Sequence, residues 1–173
     1  MSVIDQVLQA NQEYAQTFQH AHLHHKPARH LAILACMDAR ITVEGTLGLN
    51  PGDAHIIRNA GGIATEDALR SLIVSHHMLE TREIMVINHT ECGMMSFRDE
   101  DLRHRLEEKS GIETIVPVHF HTFTNLEKNV RRQMQKIRTH PWIPAEVVVR
   151  GFIYDVRTGL LNEVMYEGLR AAV

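Results

Sequence analysis

The chain has 173 residues, 44% of them hydrophobic, a size and composition that suit one compact domain with an ordinary core. Its formal charge of -3 and pI near 6.5, with Lys and Arg interspersed among acids, leave no basic footprint for nucleic acid. No stretch approaches the roughly 18 apolar residues of a membrane span, and the acidic, amphipathic start SVIDQVLQANQEYAQ is unlike a signal peptide, so a cytoplasmic protein is expected.

Ile4, Val7, Leu8, Ala15 and Phe18 recur at helical spacing, which predicts an amphipathic helix over 3–18, followed by a polar linker to His30. Five of the chain's 13 histidines (His20, His22, His24, His25, His30) crowd this linker. Their spacing matches no closed ligand set, and the segment reads as a solvated loop. Leu31 to Cys36 is a short, continuous apolar run, the mark of a parallel strand covered on both faces, and 54–59 and 83–88 read the same way. Between these last two, Ala68, Leu69, Leu72, Ile73, His76 and Leu79 form one helical stripe. Thr65 is its expected N-cap, and Glu66 and Asp67 suit the positive end of its dipole.

Two further helix starts are expected, at Ser96 with Asp99 and at Thr124 with Glu127, the second leading into Leu126, Val130, Met134 and Ile137. Pro141 and Pro144 stop that helix; 146–154 reads as a fourth strand, and Asp155 to Gly159 as a turn into a last extended segment, 160–166. The pattern is that of one three-layer α/β domain over 1–173, with 1–30 as helical arm and linker and 31–173 as core.

Cys36 ends the first strand and is followed at alternate positions by Asp38 and Arg40, while His89 and Cys92 follow directly on the third strand. Ligands of open parallel sheets sit at the carboxyl ends of strands where the order reverses, so both motifs belong to the functional edge. Two thiolates and one imidazole suit zinc, and three protein ligands leave a fourth position open, as a catalytic site requires. Unrelated buried cysteines or a disulfide are the competing readings. Zinc lowers the pKa of a bound water from about 15.7 toward 7, but two thiolates weaken that pull. An acceptor beside the water then helps, and Asp38 held ionised by Arg40 supplies one. Asp38 is equally able to swing onto the metal as a fourth ligand, which would make the pair a gate; the plain alternative is an ordinary salt bridge.

Cys-x-Asp-x-Arg, then Arg58-Asn-Ala-Gly-Gly62, then His89-x-x-Cys92-Gly93, in this order and spacing, resemble the β-class carbonic anhydrases, and the similarity runs from about residue 30 to the segment ending at Asp155. The resemblance implies that Cys36, His89 and Cys92 bind one Zn2+ per subunit, that Asp38 and Arg40 are catalytic, and that Gly61 and Gly62 bring backbone donors to the substrate. It implies a mainly parallel four-stranded sheet flanked by helices, and a homodimer or homotetramer in which the helical arm embraces a neighbour. The expected activity is reversible hydration of CO2 to bicarbonate by attack of zinc-bound hydroxide. Met-Asp-Ala-Arg and His-Thr-x-Cys-Gly-Met resemble the compact bacterial and archaeal branch, which also includes enzymes acting on COS and CS2.

All three molecules are linear, apolar and electrophilic at the central carbon, so the motifs do not separate them. Discrimination is expected from residues flanking the motifs, such as Met37, Ile63, Met94 and Met95, each of which also reads as core packing. His55, His76 and His119 carry no assigned role, since a lone histidine is more often structural. Two other readings are a non-catalytic module that binds zinc or bicarbonate, with Asp38 permanently on the metal, and a thiol redox protein whose cysteines pair.

Overall fold

The computed structural model of the protein describes residues 1–112 and 119–166; the expected core of 31–173 extends beyond these at its C-terminal end. Strand β1 (Leu31–Cys36) lies inside a five-stranded sheet. Strands β2 (Ala54–Asn59) and β3 (Glu83–His89) pair with it in parallel on either side, β4 (Val148–Tyr154) joins β3 in parallel, and β5 (Leu161–Val164) closes the edge antiparallel to β4. The expected four parallel strands are thus present, and the segment read only as extended adds a fifth. Its reversal is local. Gly159 N–H donates to Asp155 O at 2.8 Å and Asp155 N–H to Leu160 O at 2.9 Å, with Gly159 at φ +75°. A connection this short can return the chain only antiparallel.

The order β2-β1-β3-β4-β5 places the active edge. From β1 the chain moves outward to β2, then crosses back over β1 to β3, so connections leave the carboxyl ends of β1 and β3 in opposite directions and open a crevice there. Cys36 and His89 are the last residues of those two strands.

One sheet face is packed. Ala32 and Leu34 of β1 and Ile84 and Val86 of β3 lie under α3 (Glu66–His77) and α5 (Leu126–Arg138), which contribute Ala68, Leu69 and Leu72, and Val130, Met134 and Ile137. Gly151 on β4 lets α5 sit close, because a Cβ there would stand 2.4 Å from Val130 Cγ1 and 2.7 Å from Met134 Sδ. The alternate residues Ile33, Ala35 and Ile87 face the other side with Ile41 and with Val43 of α2 (Val43–Leu47), a one-turn helix too short to show a period in the sequence. This layer is thinner: Ile56, Met85, Phe152 and Leu161 are only partly buried in it.

Helix α1 (Val3–Gln16) opens with a capping box. Ser2 Oγ accepts from Asp5 N–H at 3.1 Å and Asp5 Oδ2 accepts from Ser2 N–H at 2.7 Å. It buries no residue of its own. Thr65 caps α3 as expected, accepting from Ala68 N–H at 3.3 Å. The other two starts fall later than expected. Helix α4 (Asp99–Ser110) begins after Arg98, because Ser96 spends its hydroxyl on Gly93 O at 2.7 Å; α5 is capped by Asn125, whose Oδ1 accepts from Lys128 N–H at 2.8 Å, and not by Thr124.

Candidate metal centre

Strand geometry delivers Cys36 and His89 to the same sheet edge, and the turn Thr90-Glu91-Cys92 brings the second sulfur back to them. Glu91 takes a left-handed φ of +56° to make that turn, local strain of the kind found where geometry is set by function. The ligand atoms of Cys36, His89 and Cys92 all lie within 4.8 Å of one another, and all three residues are buried. Tetrahedral zinc with bonds of about 2.0–2.3 Å sets its ligands roughly 3.5–3.8 Å apart, so small side-chain adjustments bring this set to coordination distance.

The imidazole is prepared for a metal. Its Nδ1 lies 2.8 Å from Thr90 O, so the proton sits on Nδ1 and the Nε2 lone pair faces the sulfurs. Nε2 is buried and has no hydrogen-bond partner. A buried, unpaired acceptor costs free energy comparable to a lost hydrogen bond, and a metal removes that cost. Both cysteines are free thiols, not a disulfide. Their sulfurs share a proton: a hydrogen bond from Cys92 outweighs burial and does most to pull the Cys36 thiol well below its ordinary value, while the Cys36 thiolate pushes Cys92 up. The donor set, its spacing and the orphaned Nε2 fit a soft divalent cation.

Asp38 stands beside this set, with Oδ2 3.7 Å from His89 Nε2. Arg40 grips it with a fork: Nε donates to Oδ1 and Nη2 to Oδ2, both at 2.9 Å, and the Arg40 backbone N–H adds a third bond to Oδ1 at 2.9 Å. These bonds hold the Asp38 carboxyl far below the usual carboxylate range, so it is ionised at any working pH. Arg40 is itself held by Glu91, whose Oε2 accepts from Nη1 at 3.3 Å, and Glu91 is also paired with Arg157. Sequence reading missed Glu91 and Arg157, which lie 66 positions apart along the chain.

Arg58 was legible only as part of a motif. Here Arg58 Nε donates to Cys36 O at 3.0 Å and Nη2 to Asp38 O at 2.7 Å, which fixes the backbone between ligand and carboxylate. Gly61 and Gly62 lie against the ligands. The Gly62 N–H donates to Asn59 O at 3.2 Å, and a Cβ on Gly62 would stand 3.0 Å from Cys36 N. Ile63, Met94 and Phe123 pack around Gly61, each with an atom 3.2 Å from where its Cβ would be, and Met37 is 63% exposed at the rim. His55 and His76 spend ring nitrogens on Ser75 Oγ and Thr81 O, both at 2.7 Å, away from this site, and His119 is exposed.

The family model described as carbonic anhydrase matches residues 31–161. Beta-carbonic anhydrase 1 of Mycobacterium tuberculosis is 41% identical over 165 residues, 95% of this chain and 99% of that protein. A carbon disulfide hydrolase of Acidithiobacillus thiooxidans is 38% identical over 153 residues, 78% of this chain and 76% of that one. Among solved structures, a carbonic anhydrase from Streptococcus mutans superposes with a TM-score of 0.90 at 41% identity, over 95% of this chain and 99% of the other.

Proposed function

Because this chain belongs to the β-class carbonic anhydrase family, we propose that it catalyses the reversible hydration of carbon dioxide to bicarbonate, with Cys36, His89 and Cys92 holding one zinc ion per subunit and Asp38 and Arg40 as its catalytic pair. The observation that carries this reading is the orphaned His89 Nε2 facing two thiols beside a carboxylate clamped by arginine. When bound, zinc supplies a Lewis acid that lowers the pKa of water toward 7 and keeps one coordination position open.

The chain's own residues do the rest. Ionised Asp38 is an acceptor only, so its Oδ2, already beside His89, orients the attacking water by taking one of its hydrogens in a hydrogen bond. Arg40 fixes that acceptor by two parallel bonds, which holds Asp38 off the ligand position. Carbon dioxide is apolar and enters against Ile63, Met94 and Phe123, with Gly61 and Gly62 lining the approach. Asp38 retains 18% exposure, so the proton released on hydration has a route to solvent.

Hydrolysis of carbonyl sulfide or carbon disulfide by the same zinc chemistry is the second reading, favoured by the likeness to a carbon disulfide hydrolase. Carbon dioxide is preferred because this chain spans 99% of the carbonic anhydrase and only 76% of the hydrolase. No helix of the described residues is long and apolar enough to cross a membrane. Two free cysteines suit a reducing compartment such as the cytosol. The assembly is a homodimer or a multiple of dimers, supported by the unburied apolar stripe of α1.

The test is turnover of carbon dioxide, carbonyl sulfide and carbon disulfide by one zinc-loaded preparation, with Asp38→Ala as control. Carbon dioxide hydration that falls in the control is the expected result. Absence of hydration even above about pH 8.5, where a weakly activated water is ionised, would sink the reading; hydrolysis of a sulfur substrate alone would establish the second.

A further inference from the structure

Helix α5 carries positive charge that its own subunit does not answer. Lys128, Arg132 and Lys136 follow one another at four-residue spacing, in a chain whose formal net charge is -3. Like charges at this spacing repel and weaken a helix. Arg131 beside them is paired with Glu127 at 2.6 Å, but among the described residues none of the three has an ion-pair partner.

Arg132 and Lys136 line a small cavity of about 90 Å³ together with Ile63, His121, Asn129 and Gln133. A single water needs only about 10–15 Å³ of such space, so there is room for an ion of several heavy atoms. Among the described residues no carboxylate lines it. Its buried wall is the pair of carboxamides, Asn129 and Gln133, 6% and 3% exposed. Their orientation is fixed. Ala64 N–H, which can only donate, bonds Gln133 Oε1 at 3.0 Å; Gln133 Nε2 therefore donates to Asn129 Oδ1 at 2.8 Å, and Asn129 Nδ2 to Asn88 Oδ1 at 2.7 Å. Each amide nitrogen carries two hydrogens and spends one of them in these bonds. The second has no acceptor among the described residues, a costly state for a buried donor and one that an acceptor in the cavity relieves.

The opposite wall is pinned as well. Asp99 accepts from the backbone N–H groups of Phe120, His121 and Thr122 at 2.9, 3.2 and 2.9 Å, which fixes the loop that carries His121, and the Thr122 hydroxyl takes up the rest of that carboxylate. Desolvation first, then the charge of Lys136, with His119 and Arg132 behind it, holds the His121 imidazole below its ordinary value, and Asp99 opposes them. One full charge each from Arg132 and Lys136, added to two spare amide hydrogens, matches an ion with two negative charges and acceptors on every side.

We propose that this cavity is a binding site for a small, doubly charged oxyanion of the phosphate or sulfate class, held by Arg132 and Lys136 and by the Asn129 and Gln133 amides. The site is separate from the metal centre and does not depend on the reading of Cys36, His89 and Cys92 as ligands.

The experiment titrates zinc-loaded wild type with inorganic phosphate at fixed pH and constant ionic strength, with chloride making up the difference, and follows the His121 ring by magnetic resonance. A saturable shift is expected, with the side-chain amide resonances of Asn129 and Gln133 moving along the same curve. Arg132→Gln and Lys136→Gln, both at exposed positions, should each raise the midpoint about tenfold. Arg29→Gln, which removes an exposed charge just before β1, should leave it unchanged. A shift that chloride reproduces or that never saturates overturns the proposal, as does a midpoint shared by wild type and the two α5 variants or raised equally by Arg29→Gln. Amide resonances that stay still while His121 moves also overturn it, since phosphate would then only screen the surface. That last measurement uses wild type alone, so it decides even if a variant fails to fold.

Discussion

Gly62 carries a constraint that no other residue meets. Its φ of +61° lies in the left-handed region, and a Cβ would stand 2.8 Å from Asn88 Nδ2 and 3.0 Å from both Cys36 N and Ile87 O. Two of these three are backbone atoms of the central strands, so they cannot step aside. Gly62→Ala is expected to cost about 2 kcal/mol or more in thermal unfolding and to loosen metal retention with it, since the displaced backbone carries Cys36. Arg40 poses a different question, one of position more than charge. Removing it lets the Asp38 carboxyl rise toward its ordinary range, but that range is still far below neutral, so Asp38 stays ionised. Arg40→Lys is therefore expected to lower kcat by about 10–100-fold uniformly across neutral pH, with zinc stoichiometry unchanged, because a point charge cannot reproduce the fork. A shifted pH profile at undiminished kcat would contradict this.

At the scale of elements, Asp99 ties the start of α4 to a distant stretch of chain. Its carboxylate accepts from Phe120, His121 and Thr122 N–H and from the Thr122 hydroxyl. Burial alone would raise its pKa; the hydrogen bonds, led by that of Thr122, outweigh it and bring it down to about 2 from 3.8. A carboxyl depressed on folding stabilises above its unfolded pKa and loses that contribution as pH falls through the folded one. Asp99→Asn is thus expected to cost about 1–2 kcal/mol at pH 7, discounted for partial exposure, and the gap to wild type should narrow between about pH 4 and 2 in chemical denaturation. Asp99 also shows where sequence reading stops. Ser96 and Asp99 have the spacing of a cap, yet both side chains are spent elsewhere, Asp99 on residues more than 20 positions away. Strands β1, β2 and β3 were legible because a short, continuous apolar run fits a strand covered on both faces, and Cys36, His89 and Cys92 because their short motifs fall at or just after strand ends. The buried amides Asn88, Asn129 and Gln133 were not, although Gln133 Nε2 donates to Asn129 Oδ1 and Asn129 Nδ2 to Asn88 Oδ1, since a buried amide is identified only by a partner that folding brings to it.

For the whole molecule, the two sheet faces are unequal, and α1 stands apart from both. Ile4, Val7 and Leu8 are 68%, 59% and 56% exposed on a helix that buries none of its residues. Such a stripe is costly to leave in water, and the half-covered face carrying Ile56, Met85 and Phe152 has apolar area to match. A second copy of the chain satisfies both at once, and a symmetric pair repeats the exchange. Each fully buried large aliphatic side chain contributes about 1.5–3 kcal/mol, so Ile4→Glu with Leu8→Glu is expected to weaken self-association by about a thousandfold or more. Sedimentation read against concentration checks this, with circular dichroism alongside. The folded core should persist in the variant, because α1 adds nothing to its own subunit's interior. If the variant sediments as wild type does, the arm packs elsewhere and the interface lies on another face.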